Sequence, residues 1–182
     1  MTILAYDELV HLLDSGVIQD GKHCAVGGSS IDIHLGRTII IERSPIDGYG
    51  VIDYRERDQF YGTKGVMYED GFDIFPGQFI LAHTVEKFDI PLNLSALLRT
   101  KSSMGRIGLE HLDAGWVDPG FSGALTLELT NTLRHHAIRI RPGDAIGQLV
   151  FFRHEMVEYD NSYKAKGRYS GSDTVEQTRK AR

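Results

Sequence analysis

Residues 97–131 read LLRTKSSMGRIGLEHLDAGWVDPGFSGALTLELTN, and the end of that stretch, ALTLELTN at 124–131, alternates apolar and polar side chains with the period of two that a β-strand requires. Strict alternation puts Leu125, Leu127 and Leu129 on one face and Thr126, Glu128 and Thr130 on the other, as in a strand with one face in a core and one solvated. Asp118-Pro119-Gly120-Phe121-Ser122-Gly123 is a tight turn feeding it. Outward from here the same grammar repeats in IDIHL at 31–35, RTIIIE at 37–42, QFILAHT at 78–84, AIRIR at 137–141 and AIGQLVFFRH at 145–154. Pro76-Gly77 and Pro142-Gly143 each precede a strand, because Pro presets φ and Gly accepts positive φ. Only the start differs: over residues 3–15, Leu9, Leu12 and Leu13 have helical spacing and Gly16 is a stop. The pattern predicts a mainly β chain opened by one short amphipathic helix.

No linker and no internal repeat interrupts it, so residues 1–182 are read as a single domain. Segment 43–73, polar and rich in Gly and Tyr, is read as an excursion with one hairpin. The tail 155–182 lacks apolar periodicity and is read as a C-terminal lid. Its basic end, Arg179-Lys180-Ala181-Arg182, is read as a solvated terminus.

The 182 residues are 41% hydrophobic and carry a net charge of −5, with cations scattered along the chain. That balance offers no electrostatic footprint for a nucleic-acid backbone. No apolar run approaches the ~20 residues of a membrane span, so no membrane role is expected. The opening MTILAYDELVHLLDSG lacks a basic region followed by a continuous apolar one and is read as mature structure. The single cysteine, Cys24, excludes an internal disulfide framework and a Cys-rich zinc site, and fits a reducing, cytoplasmic setting.

Lys101, Ser102, Ser103 and Arg106 combine two cations with two hydroxyls where a strand at 94–100 gives way to a turn. If Ser102-Ser103 open a short helix, their N–H and hydroxyl groups converge with the cations on one anion. A surface helix with solvated charges accounts for the same residues. No P-loop and no Rossmann glycine pattern is present. A solvated strand face accounts for Glu128, but Asp113, Asp118 and the cationic cluster precede it closely. Trp116 and Phe121 are read as core, and His135-His136 as a hairpin tip. The eight His residues form none of the zinc-ligand spacings of the familiar nucleobase deaminases, so a hydrolytic step must activate water without zinc.

Taken together, GGSSIDIHLG (27–36), FPGQFILAHTVEKFDIP (75–91), TKSSMGRIGL (100–109), AGWVDPGFSGALTLELTN (114–131) and RPGDAIGQLVF (141–151) closely resemble the dCTP deaminase family of the dUTPase-like superfamily, in order over nearly the whole chain. The resemblance implies a distorted antiparallel β-barrel of the β-clip type with a few short helices. It also implies a homotrimer with interfacial active sites, and a triphosphate bound with Mg²⁺ through its phosphates rather than through protein ligands. Position by position, Lys101, Ser102, Ser103, Met104, Gly105 and Arg106 resemble the phosphate-binding segment. Ala114 and Asp118 resemble contacts to sugar or base, Thr126 and Leu127 the base-reading strand, and Glu128 the general acid/base. Gln148 resembles a further nucleotide contact, and Tyr159, Arg168 and Ser172 the closing lid.

The implied reaction is zinc-independent deamination of dCTP to dUTP and ammonia. Ala114-Gly115-Trp116 is similar to members that continue to dUMP and diphosphate. A dUTP diphosphatase without deaminase activity and a non-catalytic nucleotide-binding regulatory trimer are the alternatives. Lys101 stands where the family usually has Arg, Asp113 where it has Ser or Thr, Arg168 for a lid Lys and Ser172 for a lid Gln. A carboxylate at 113 is expected near Glu128, where it raises the pKa of the latter or marks a different base or a modified nucleotide.

Overall fold

The computed structural model describes residues 1–44, 50–59 and 62–179. Its elements are β1 (Thr2–Ile3), α1 (Tyr6–Asp14), β2 (Ile18–Gln19), β3 (Ile31–His34), β4 (Thr38–Glu42), β5 (Gly62–Val66), β6 (Phe72–Ile74), β7 (Phe79–Asp89) and β8 (Leu94–Thr100). There follow α2 (Ser102–Arg106), β9 (Leu109–His111), β10 (Trp116–Val117), β11 (Ser122–Asn131), β12 (Ile138–Ile140), β13 (Ala145–Arg153) and α3 (Tyr163–Lys166). Every run read as a strand is one, and the opening helix forms with Leu9 and Leu12 buried. Glu8 accepts the Ala5 N–H at the start of α1 and pairs with Arg153, and the two contacts, the first more strongly, hold its carboxyl below the ordinary range.

Among the described residues the strands form two antiparallel sheets and a two-stranded ribbon. In the first sheet β8 lies between β13 and β10, and β3 and β1 pair with the opposite edge of β13. The second runs β5-β4-β7-β11-β9, with β2 also on β7, and β6 pairs with β12. The excursion supplies β5, which pairs with β4 from Thr38↔Val66 to Glu42↔Gly62, so the hairpin joins the excursion to the strand ahead of it rather than lying within it, while residues 45–49 and 60–61 lie outside the described residues. The hydrogen-bonded sheets do not close into one barrel; the chain is a distorted antiparallel β fold.

Side chains of both sheets meet in one core: Ile33, Leu98 and Leu149 from the first, Ile80, Leu127 and Leu129 from the second. Full burial of such a side chain stabilises the fold by about 1.5–3 kcal/mol relative to exposure. Among the described residues no helix is long and apolar enough to cross a membrane.

One irregularity positions the site. Ala124 and Thr126 of β11 face Lys87 and His83 of β7, so β7 uses two more residues than β11 across that interval. The extra backbone is held from within: Thr84 Oγ1 donates to the Glu86 carbonyl at 2.7 Å and accepts the Leu125 N–H at 3.0 Å. Glu86, 1% exposed, accepts the His34 N–H at 2.9 Å and meets His34 Nδ1 at 2.5 Å. Leu125 therefore leaves the phase of Leu127 and Leu129 and is only partly buried, against the strict alternation expected from sequence.

Candidate active site

The outer face of β11 forms one wall of a cavity of about 490 Å³. Leu125, Thr126 and Glu128 line it from β11, and Phe79 and Leu81 from β7. Ala114, Trp116 and Asp118 come from the segment ahead of β11. The C-terminal segment supplies the cover, through Tyr163, Tyr169, Ser172 and Glu176.

The cover is docked by backbone hydrogen bonds and by side chains. The Gly171 N–H donates to the Ser122 carbonyl at 2.7 Å, and the Ala124 N–H to the Ser172 carbonyl at 2.8 Å. Gly123 at this crossing has φ +116, and a Cβ there would stand 2.4 Å from the Ser172 carbonyl oxygen, so both conformation and space demand glycine. Val175 is 2% exposed against Ile40 and Leu81. Lys87 pairs with Asp173 at 2.9 Å, and the Glu176 N–H reaches Thr126 Oγ1 at 3.3 Å.

The Glu128 side chain is 26% exposed, and its Oε2 is fully buried. His111 Nε2 approaches that oxygen at 3.1 Å, from a ring itself 6% exposed, without hydrogen-bond geometry. The two atoms are thus close, buried and free of any directed hydrogen bond, which suits a carboxylate that must exchange protons with a ligand. Burial pushes the Tyr163 phenol up, so this cavity wall stays neutral at physiological pH.

Trp116 is half exposed, not core. In the two-residue strand β10 alternation sends Val117 inward and Trp116 outward, where its ring stacks on Phe152 at 6.0 Å and its Nε1–H donates to Asp118 Oδ1 at 3.1 Å. Gly115 ahead of it accepts the Leu98 N–H at 2.8 Å, and a Cβ there would lie 2.4 Å from the Leu98 carbonyl oxygen. Phe121 is buried as expected, and its ring meets Tyr163 at 5.6 Å.

The phosphate-like segment lies elsewhere in this chain. Lys101, Ser102 and Gly105 line a second hollow of about 210 Å³ with Arg99, His111 and Asp113. Lys101 Nζ pairs with Asp32, and Gln148 stands in register between Asp32 and Arg99, which places the three on one face of the first sheet. Ser102-Ser103 do open the short helix α2. Ser103 and Arg106 are exposed, and Met104 packs partly against the core. No residue lines both hollows, and His111 joins them through its contact with Glu128.

Leu127 points into the core at 1% exposure and does not line the cavity. Tyr159 is 56% exposed and lines neither hollow. Arg168 lines a third hollow, of about 350 Å³, which also reaches Asp118. Asp113 is not beside Glu128: it lies in the second hollow, 89% exposed, and accepts from Arg99 Nη1 at 2.7 Å, because it projects from the turn after β9 toward β8. His135-His136 occupy the exposed turn between β11 and β12, which is not the expected hairpin tip, because β11 pairs with β7 and β9 whereas β12 pairs with β6. Of the basic end only Arg179 is described; 180–182 lie outside the described residues.

Sequence reasoning missed His111, Asp32 and Glu176. His111 carried a weak signal, two residues ahead of Asp113 in a stretch already marked by its polar side chains. Asp32 and Glu176 carried none, since their partners lie far away in the chain. Among the described residues no three His, Cys, Asp or Glu side chains are grouped to hold a metal ion.

A family profile described as dCTP deaminase-like matches residues 3–154. A protein of Aquifex aeolicus named "dCTP deaminase, dUMP-forming" is 44% identical over 128 residues, 69% of this chain and 66% of that protein. One of the same name from Methanoregula boonei is 39% identical over 143 residues, 78% of this chain and 75% of that one. Among solved structures, 2'-deoxycytidine 5'-triphosphate deaminase from Agrobacterium tumefaciens superimposes with a TM-score of 0.65 at 22% identity, covering 82% of this chain and 48% of that one, a likeness of fold.

Proposed function

The chain belongs to the dCTP deaminase-like family, and on that premise we propose that it hydrolyses dCTP to dUTP and ammonia and carries the product on to dUMP and diphosphate. The observation that carries the deaminase reading is Glu128, a carboxylate with one buried, unbonded oxygen lining an apolar-walled cavity. The Glu128 carboxylate takes a proton from water as the water oxygen bonds to C4 of cytosine, and passes it to N3. The remaining proton of the new hydroxyl then goes through Glu128 to the amine, the C4–N bond breaks, and ammonia leaves a uracil carbonyl. His111 holds the buried side of Glu128.

Lys101, Ser102, Ser103 and Arg106 bind the triphosphate, with Met104 and Gly105 as the backbone between them, and Gln148 adds a nucleotide contact. Their donor chemistry fits phosphate oxygens that carry Mg²⁺, and that cation, when bound, neutralises the triphosphate while keeping most of its own waters. Ala114, Asp118, Thr126 and Leu127 frame sugar and base, the last as the strand residue between Thr126 and Glu128. Residues 155–182 act as the lid, with Tyr159, Arg168 and Ser172 in its moving part.

The separation of the two hollows supports an interfacial site, in which the phosphate segment of one copy completes the Glu128 cavity of another. Ile107, Leu112 and Trp116, each about half exposed around these hollows, support a homotrimer that covers them. A cytoplasmic enzyme acting on free nucleotides, with no nucleic-acid or membrane partner, is the reading in keeping with the charge and the exposed free Cys24.

Incubation of the protein with dCTP and Mg²⁺, against a chelated control, resolves ammonia, dUTP, dUMP and diphosphate. Ammonia with dUMP is the expected result. dUTP as sole product removes the second step, and cleavage of dUTP with dCTP inert refutes deamination. Glu128→Gln should bind nucleotide and lose turnover; near-normal turnover would mean that another carboxylate works on the base.

A further inference from the structure

Glu176 lies beyond residues 3–154, which carry the family match. Docking of the C-terminal segment brings it to the site: its N–H reaches Thr126 Oγ1 at 3.3 Å, and Thr126 shares the outer face of β11 with Glu128. The Glu176 side chain is 20% exposed and lines the same cavity. Its Oε2 is buried, with Arg179 Nη2 at 2.6 Å and no hydrogen bond of good geometry.

Ser172 and Gln177, which line the cavity from the same segment, are committed elsewhere. The Ser172 hydroxyl donates to the Thr174 carbonyl at 2.8 Å, and the Gln177 amide faces the Gly62 carbonyl at 3.5 Å. An ionised carboxylate is acceptor-only with about four lone-pair sites, so one ion pair leaves capacity for a donor from a ligand. Cytosine presents an exocyclic amine on C4 where uracil presents a carbonyl oxygen.

We propose that Glu176 is a specificity-determining residue, whose carboxylate accepts a hydrogen bond from the C4 amine of the bound base and so favours cytosine over uracil. The proposal deepens the deaminase reading and rests on it. Against uracil the same carboxylate meets lone pairs with no proton between, a repulsive element as well as a missing attractive one. The contact exists with substrate and is lost when ammonia leaves, so the cover loosens on the base at the product stage.

The test compares binding of dCTP and dUTP, with Mg²⁺, to Glu128→Gln and to the double variant Glu128→Gln/Glu176→Gln by calorimetry, after ammonia release by the native protein has been measured. A hydrogen bond to a charged group corresponds to about 10-fold to 100-fold in affinity, so the single variant should prefer dCTP by that factor and the double variant should bring the ratio near unity. An unchanged ratio overturns the proposal. Equal weakening of both ligands also overturns it, because it reports a purely structural anchor. Arg179→Gln in the Glu128→Gln background should keep the preference; its collapse there moves discrimination to Arg179. No ammonia from dCTP with the native chain refutes the deaminase reading itself, whereas ammonia with an unchanged ratio refutes the role of Glu176 alone.

Discussion

Replacing Val175 with alanine isolates the docking of the C-terminal segment from the stability of the sheets. Val175 packs, 2% exposed, against Ile40 and Leu81 with Phe79 beside them, in a cluster separate from the main core. The substitution removes two buried methyl groups, and at about 0.8 kcal/mol for each the loss is about 1.6 kcal/mol, with any void left behind adding to it. Because the cluster joins the cover to the outer face of the second sheet, the loss falls on docking and multiplies the undocked population about 15-fold.

Hydrogen exchange reads this directly. The amides of Gly171 and Ala124 donate across the seam to Ser122 and Ser172, so both should exchange about 15-fold faster in the variant. Amides of the β8–β13 ladder around Leu98↔Leu149 should keep their native rates. KM for dCTP should rise, by at most the same factor. Unchanged exchange at Gly171 and Ala124, or equal acceleration in the β8–β13 ladder, would refute the reasoning, since the first denies that Val175 holds the cover and the second makes it part of the global core.

Lys101→Ala should weaken triphosphate binding by about 10-fold or more while leaving binding of the nucleoside deoxycytidine unchanged, in paired titrations, because the loss is of phosphate charge. Gly115→Ala drives a Cβ to 2.4 Å from the Leu98 carbonyl oxygen and should cost about 1–3 kcal/mol, seen as a lower Tm and as changed emission from Trp116, the only tryptophan of the chain. His111→Asn should reduce kcat by roughly 10-fold or more and alter its pH profile, with nucleotide affinity within about twofold of native, because His111 acts through Glu128. His83 is held below its ordinary value of 6.5, chiefly by burial, with Nε2 accepting the Thr38 N–H at 3.2 Å. Its proton therefore binds the unfolded chain first; stability is full above pH 6.5 and declines as pH falls below it, and His83→Gln should flatten that part of a Tm-against-pH curve.

The strands were legible because alternation is a local property, and every run with that period became a strand. Leu125 escaped because its phase depends on extra residues in β7, held by Thr84, Glu86 and His34, and no pattern within β11 records them. Trp116 escaped because a two-residue edge strand has too few positions to declare which face is inward. The grouping of Lys101, Ser102 and Arg106 was legible as composition, but their separation from Glu128 was not, since it depends on which sheet each element joins.

The tail was the hardest part to read, for a physical reason. Its order rests on a buried valine, the Tyr163 ring against Phe121, the Lys87–Asp173 ion pair and backbone hydrogen bonds, none of which produces apolar periodicity. Yet this cover turns the polar face of β11, which alternation alone assigns to solvent, into the wall of a cavity around Glu128. The family match ends at residue 154, and the cover enters the cavity at Tyr163. The matched residues and the groups that close over the Glu128 cavity are therefore carried by different stretches of chain. If Glu176 reads the base as proposed, a substitution in the cover should alter base preference without disturbing Glu128, His111 or residues 101–106, because these lie on other elements.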